Sequence, residues 1–169
     1  MSENINLINI EEQLTKNLTG DLLNNALELC KQMNILGFVY GERTIGGTGW
    51  VYRDEIMCWI CSISPDHFDI RFFGEGSGFC NGSFDTFAVY KDINPELCKF
   101  VWAHSARCGC KNCGTDFPGH KFTILGKDFE KLCNCPLYFL NLNAEDVIKF
   151  TALAHVWTQC IDAIKHTAV

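Results

Sequence analysis

Between residues 21 and 34 the apolar positions recur at three- and four-residue intervals. Leu22, Leu23, Ala26, Leu27, Cys30 and Met33 fall along one side of a helix. The pattern predicts a helix over 21–34, closed at Gly37, with Cys30 as a small buried hydrophobe on its inner face. Residues 1–19 are polar with isolated Leu and Ile, and read as a short helix or a loosely held arm. A second helix is predicted over 95–105, because Asn94 supplies an N-cap, Pro95 suits the first turn, and Leu97, Val101 and His104 share one face. Asn143 with Asp146 opens a third, whose apolar stripe runs through Val147, Phe150, Ala154, Trp157, Ile161 and Ile164. His155 and Cys160 lie off the centre of that stripe. An aromatic at helical spacing is core and needs no cofactor to explain it.

Between the first two helices the period changes to two. Residues 50–52 and 55–64 read as strands around an Arg53-Asp54 turn, 68–73 as a third after Pro65-Asp66, and 86–90 as a fourth. Residues 121–125 and 137–142 read as two further strands of the same sheet. The order of helix, three or four strands, helix, two strands, helix predicts one α+β domain over 1–169, an antiparallel sheet with helices packed mainly on one face. The glycine-rich stretches 44–49 and 74–83 read as connections. The first lacks the lysine of a phosphate-binding loop and the spacing of a dinucleotide fingerprint. Cys80, in the second, has no neighbouring base that would make it a nucleophile. Cys58 and Cys61 have metal-knuckle spacing, but residues three apart on a strand point to opposite faces, so they read as packing residues.

Composition narrows the class of protein. A hydrophobic content of 47% supports a single core, and no apolar run approaches the length of a membrane span. A formal charge of -6 with scattered Lys and Arg offers no footprint for a nucleic-acid backbone. The first residues lack the basic start and apolar run of a secretory signal. The expectation is a cytoplasmic protein without a membrane or nucleic-acid partner, in a compartment where thiols stay reduced and cysteine clusters serve metals or redox chemistry.

The chemistry is concentrated in residues 104–135, which hold five of the eleven cysteines. Cys108, Cys110 and Cys113 form a C-x-C-x2-C knuckle, and after nineteen intervening residues Cys133 and Cys135 form a C-x-C pair. Two short-spaced thiol groups separated by a connecting segment are the usual form of a tetrahedral zinc site. Gly109 and Gly114 permit the tight backbone path of a knuckle. Cys133 and Cys135 share a face if extended, so both sulfurs can approach one ion. The expected site is Cys108, Cys110, Cys113, Cys133 and Cys135 around zinc, with four of the five as ligands or with His104 or His120 replacing a thiolate. His104 lies four residues before Cys108, one turn away if the second helix continues that far, although a core histidine bonded to the backbone fits it as well.

Other readings use the same residues. An iron–sulfur cluster is permitted by the thiolate count, a redox dithiol could use Cys110 and Cys113, and reduced buried thiols with no ligand are the plainest case. A small-molecule enzyme or binding protein with a pocket near the glycine-rich loops is a further alternative, for which no ordered nucleophile, base and orienting residue is visible. The knuckle, the run PGHKFTILGKDFEKLC ending at Cys133, and NAEDVIKF at the last helix give residues 108–160 a resemblance to a group of small uncharacterised bacterial proteins rich in cysteine. That resemblance implies a compact α+β domain with recurrent cysteines at Cys108, Cys113 and Cys133. It implies no activity.

Overall fold

The computed structural model describes residues 5–43, 47–72, 93–105, 120–132 and 137–167. They form eight strands and four helices: β1 (Ile5–Leu7), α1 (Ile10–Asn17), α2 (Gly20–Ile35), β2 (Val39–Arg43), β3 (Gly47–Tyr52), β4 (Glu55–Ser64), β5 (His67–Phe72), α3 (Pro95–Ala103), β6 (His120–Ile124), β7 (Lys127–Leu132), β8 (Leu137–Leu140) and α4 (Ala144–Thr167). Six strands make one antiparallel sheet in the order β1-β2-β3-β4-β5-β8, and β6 and β7 pair separately. The fold is therefore α+β. No helix among the described residues is long and apolar enough to cross a membrane.

Local sequence explains most of the element ends. Asn9 and Asn94 each accept a hydrogen bond from the first turn of the helix that follows, from the Glu12 and Glu96 amides. At α4 the exchange is reciprocal: the Asp146 amide donates to Asn143 Oδ1 at 2.9 Å and the Asn143 amide donates to Asp146 Oδ2. Gly37, at φ 87°, turns the chain out of α2 while the Phe38 amide reaches back to the Met33 carbonyl at 3.0 Å. Arg53 and Asp54, both at positive φ, make the two-residue turn whose twist suits a hairpin. That strained turn is tied to α4, since Arg53 Nε lies 2.6 Å from Asp162 Oδ1, the Tyr52 hydroxyl donates to the same carboxylate, and Lys165 pairs with Glu55.

Pairing register puts Tyr40, Trp50, Cys58, Phe72 and Leu137 in one row across five strands, and all five are buried. Below it Ile70 and Phe139 are fully buried neighbours. Phe139 stands at the centre of the helix contacts, 5.5 Å from the Phe100 ring of α3 and edge-on to Phe150 of α4 at 4.9 Å. Phe38 meets Trp157 of α4 at 5.8 Å. Each such ring contributes about 1.5–3 kcal/mol by leaving water. The α4 stripe is wider than its sequence pattern suggests, because Leu153 and Cys160 are also fully buried. Cys160, expected off the stripe, is thus a core residue.

Three further expectations are corrected. Residues 47–49 are strand rather than loop: Gly49 pairs with Gly41 of β2, a strand that the alternation around residues 39–43 did not announce. The strand expected over 121–125 does not join the main sheet, since β6 pairs with β7 around a second positive-φ turn at Leu125 and Gly126. The helix expected to reach 105 stops at Ala103, so His104 and Cys108 do not share a continuous helix. The strand expected over 86–90 lies outside the described residues.

Two glycines separate steric from conformational cost. A Cβ on Gly49 would fall on the Cys58 carbonyl oxygen of the neighbouring strand, whereas Gly126 has open space around it but sits at φ 77°. Gly49→Ala should therefore force β3 off β4 and cost ~3 kcal/mol. Gly126→Ala should cost only about 1–2 kcal/mol of left-handed strain. Urea unfolding of both variants checks the order, and an equal or inverted pair would contradict the pairing of β3 with β4.

Candidate metal centre

Cys108, Cys110, Cys113, Cys133 and Cys135 lie outside the described residues, and so does the side chain of His120. The residues that flank the two cysteine groups are described, and they are neighbours. Ser105, the last described residue before the knuckle, forms an isolated bridge with Leu137, the first after the C-x-C pair. His120, which follows the knuckle, pairs with Leu132, which precedes Cys133. The described flanks of 106–119 and of 133–136 thus meet in two places, each an antiparallel pair with Cα atoms about 4.5–5.5 Å apart. Trp102 of α3 ties the anchors together by donating its indole N–H to the Ile124 carbonyl of β6 at 2.8 Å.

His104 caps α3 at one anchor. Its Nδ1 lies 2.8 Å from the Phe100 carbonyl oxygen, its own carbonyl accepts from the Tyr138 amide at 3.0 Å, and its ring stacks on Phe139 at 4.7 Å. The backbone-bonded histidine anticipated from sequence is therefore present at His104.

Among the described residues, the cysteines outside the cluster differ in exposure. Cys30, Cys58 and Cys160 are buried, and burial pushes the Cys30 thiol up to about 12 and the Cys58 thiol well above its ordinary value. Cys61 is exposed, with burial of part of its surface and the Asp69 charge raising its thiol while Arg71 acts the other way. Cys58 is enclosed in the core row as expected, whereas Cys61, expected as a buried packing residue, is exposed because it is the extra residue of a bulge between Ile60 and Ser62. Among the described residues no group of three or more His, Cys, Asp or Glu could hold a metal ion.

The other face of β5 carries a polar cluster that the sequence reading passed over. Strand alternation puts His67, Asp69 and Arg71 together there, and that period of two in HFDIRF was the available signal. Asp69 is only 5% exposed. Its Oδ1 accepts from the Ser62 amide at 2.6 Å, its Oδ2 accepts from the Tyr138 hydroxyl at 2.7 Å, and His67 Nε2 is 3.2 Å from Oδ2. Burial, then the bond to Asp69 and its charge, push the Tyr138 phenol up to about 12. Arg71 lies over the Tyr138 ring at 4.6 Å. Both carboxylate oxygens accept hydrogen bonds, which satisfies the bulged amide of β4 and joins β8 to β5.

Two concavities are lined by described residues. One of about 290 Å³ lies between α1 and β4, where Gln13, Tyr40 and Cys61 contribute to its wall. The other, about 400 Å³, is a groove between α2 and α4 beside Glu28 and Ile148. Of the glycine-rich stretches, 44–46 and 74–83 lie outside the described residues, as does Cys80.

No family model, curated protein or solved structure matches the chain.

The thiol environments predict an order of reactivity. Alkylation of the folded protein at pH 8, read by peptide mass spectrometry, should modify Cys61 well before Cys30, Cys58 or Cys160. Burial also makes stability fall in alkali. The unfolded Cys30 thiol ionises near 9.0 and the folded one near 12, so its contribution is complete below pH 9 and is lost as pH rises towards 12. The urea midpoint should decline through that window, and less steeply in Cys30→Ala.

Proposed function

We propose that the protein is a cytoplasmic metal-binding protein that holds one zinc ion between its two cysteine groups, drawing on Cys108, Cys110, Cys113, Cys133 and Cys135. The observation that supports this reading is the double anchoring of the flanks, Ser105 with Leu137 and His120 with Leu132. The fold has already met part of the entropy of bringing the two thiol groups near each other, which is the main obstacle to a site built from distant residues. Soft thiolates select zinc over the harder divalent ions. Zinc bound this way is structural: it supplies a covalent-strength link across segments that the described hydrogen bonds join only at their ends, and its binding free energy adds to folding. Metal ion is the partner that this reading names.

The protein purified without chelator should contain about one zinc per chain by elemental analysis. Cys113→Ser should lower that content and the melting temperature, and remove the effect of chelator. Cys30→Ser should keep full metal and cost roughly 1–3 kcal/mol for a hydroxyl on a buried helix face. A metal-free wild type whose Cys110 and Cys113 label rapidly would replace zinc with thiol redox chemistry. Full metal in Cys113→Ser would remove that residue from the site.

A further inference from the structure

We propose that the free edge of β1 pairs with the same strand of a second copy of this chain, antiparallel about a two-fold axis at Asn6. β1 ends the order of the six-stranded sheet and has β2 on one side only. Hydrogen-bond alternation shows which backbone groups face the other side. The Ile8 amide donates to the Tyr40 carbonyl at 3.0 Å, so Ile8 and Tyr40 are a bonded pair, and two residues back Asn6 and Glu42 are the next. Ile5 and Leu7 therefore point their N–H and C=O groups away from β2, along the open edge.

An edge of this kind is ordinarily blunted by lysine, proline or an inward-facing charge. β1 is Ile-Asn-Leu and carries none of these. Its apolar side is also open. Leu7 is 67% exposed, and Val39, on the same face of the neighbouring strand, is 38% exposed. Gly41 stands directly opposite Leu7, so β2 offers no side chain there to cover it. Nor could it easily carry one, since an added Cβ would fall 2.6 Å from Ile5 Cγ2.

The choice of occupant follows from the symmetry of the strand. Apolar, polar, apolar reads the same in both directions, so an antiparallel copy centred on Asn6 sets Ile5 opposite the partner's Leu7 and Leu7 opposite the partner's Ile5. Both become bonded pairs, because these are the residues whose backbone groups point outward, and their side chains meet on the Val39 face. On the other face the exposed Asn6 stands against the partner's Asn6 at the axis, where a primary amide satisfies its own kind, donor to acceptor in each direction. A shift of one residue would oppose outward-pointing groups with inward-pointing ones, which fixes the register. Three residues a side bury far less than the ~1,200 Å² at which stable complexes begin. The dimer is accordingly weak and exchanges with monomer.

The test uses the full chain under reducing conditions, so that the exposed Cys61 cannot link two copies. Sedimentation equilibrium from micromolar to millimolar protein should show a reversible monomer–dimer equilibrium. Over the same range, amide exchange followed by NMR should slow at Ile5 and Leu7 in step with the dimer fraction, while Asn6, bonded to Glu42, stays protected throughout. Leu7→Pro removes an outward N–H without touching a β1–β2 bond. Asn6→Lys sets like charges face to face at the axis, while Glu42 across the strand pair balances the new charge within its own chain. Each variant should weaken the dimer about tenfold or more and leave the melting temperature near that of wild type. A wild type that stays monomeric at millimolar concentration would overturn the proposal. So would a dimer whose Ile5 and Leu7 amides exchange freely, or one that both variants preserve, since its contact would lie on another face. Should either variant fail to fold, the wild-type exchange rates decide.

Discussion

The pairing of β8 with β5 is the contact on which the rest of the arrangement depends. It joins Leu137–Leu140 to a strand sixty-five residues earlier in register, Phe72 opposite Leu137, so a large loop must be closed before any of it forms. The strands are short, and side-chain bonds reinforce them at the far end: Asn141 Oδ1 accepts from the Phe68 amide at 2.7 Å while its own amide donates to the Phe68 carbonyl. Asp69 and Tyr138 add a bond on the opposite face. With β8 in place, Phe139 points into the contact between α3 and α4, and Leu137 comes beside Ser105.

The consequence reaches both ends of the chain's chemistry. On the apolar side of the pair, Phe139 unites Phe100, His104 and Phe150, so one ring carries the packing of two helices and the histidine at the end of one of them. On the polar side the buried carboxylate of Asp69 spends both oxygens on the bulged amide of β4 and on Tyr138. A carboxylate so bonded holds three strands in register. The strand pairing also determines where the described flanks of the two cysteine groups meet. In the proposed metalloprotein, a zinc ion would complete what the β5–β8 and β6–β7 pairings begin.

Segments with a strong local period were legible from residues alone. The helices over 21–34 and from 95 onward, the hairpin around Arg53-Asp54 and the long final helix need only the spacing of apolar residues and a cap, because each is decided by contacts within a few positions. The same was true of the inert cysteines: Cys30 on a helix face and Cys58 in an alternating strand are buried as their positions imply. The two-stranded β6–β7 unit and the strand at 39–43 were not legible in this way. A strand's partners are chosen by distant segments, and two glycines facing each other at 41 and 49 leave no side-chain alternation to read.

The sequence by itself determined where the thiols cluster, since their spacing is a property of the chain, and it determined the α+β class through its periods. Only the tertiary structure decided that Cys160 is core, that α3 ends before reaching the cysteines, and that His67, Asp69 and Tyr138 form a buried bonded cluster. It also decided the pairing of Ser105 with Leu137 and of His120 with Leu132. The physical reason is common to these cases. Donor chemistry and helical periodicity are local, whereas burial, register and the meeting of distant flanks follow from which strand closes the sheet, a choice spread over the whole hydrophobic core.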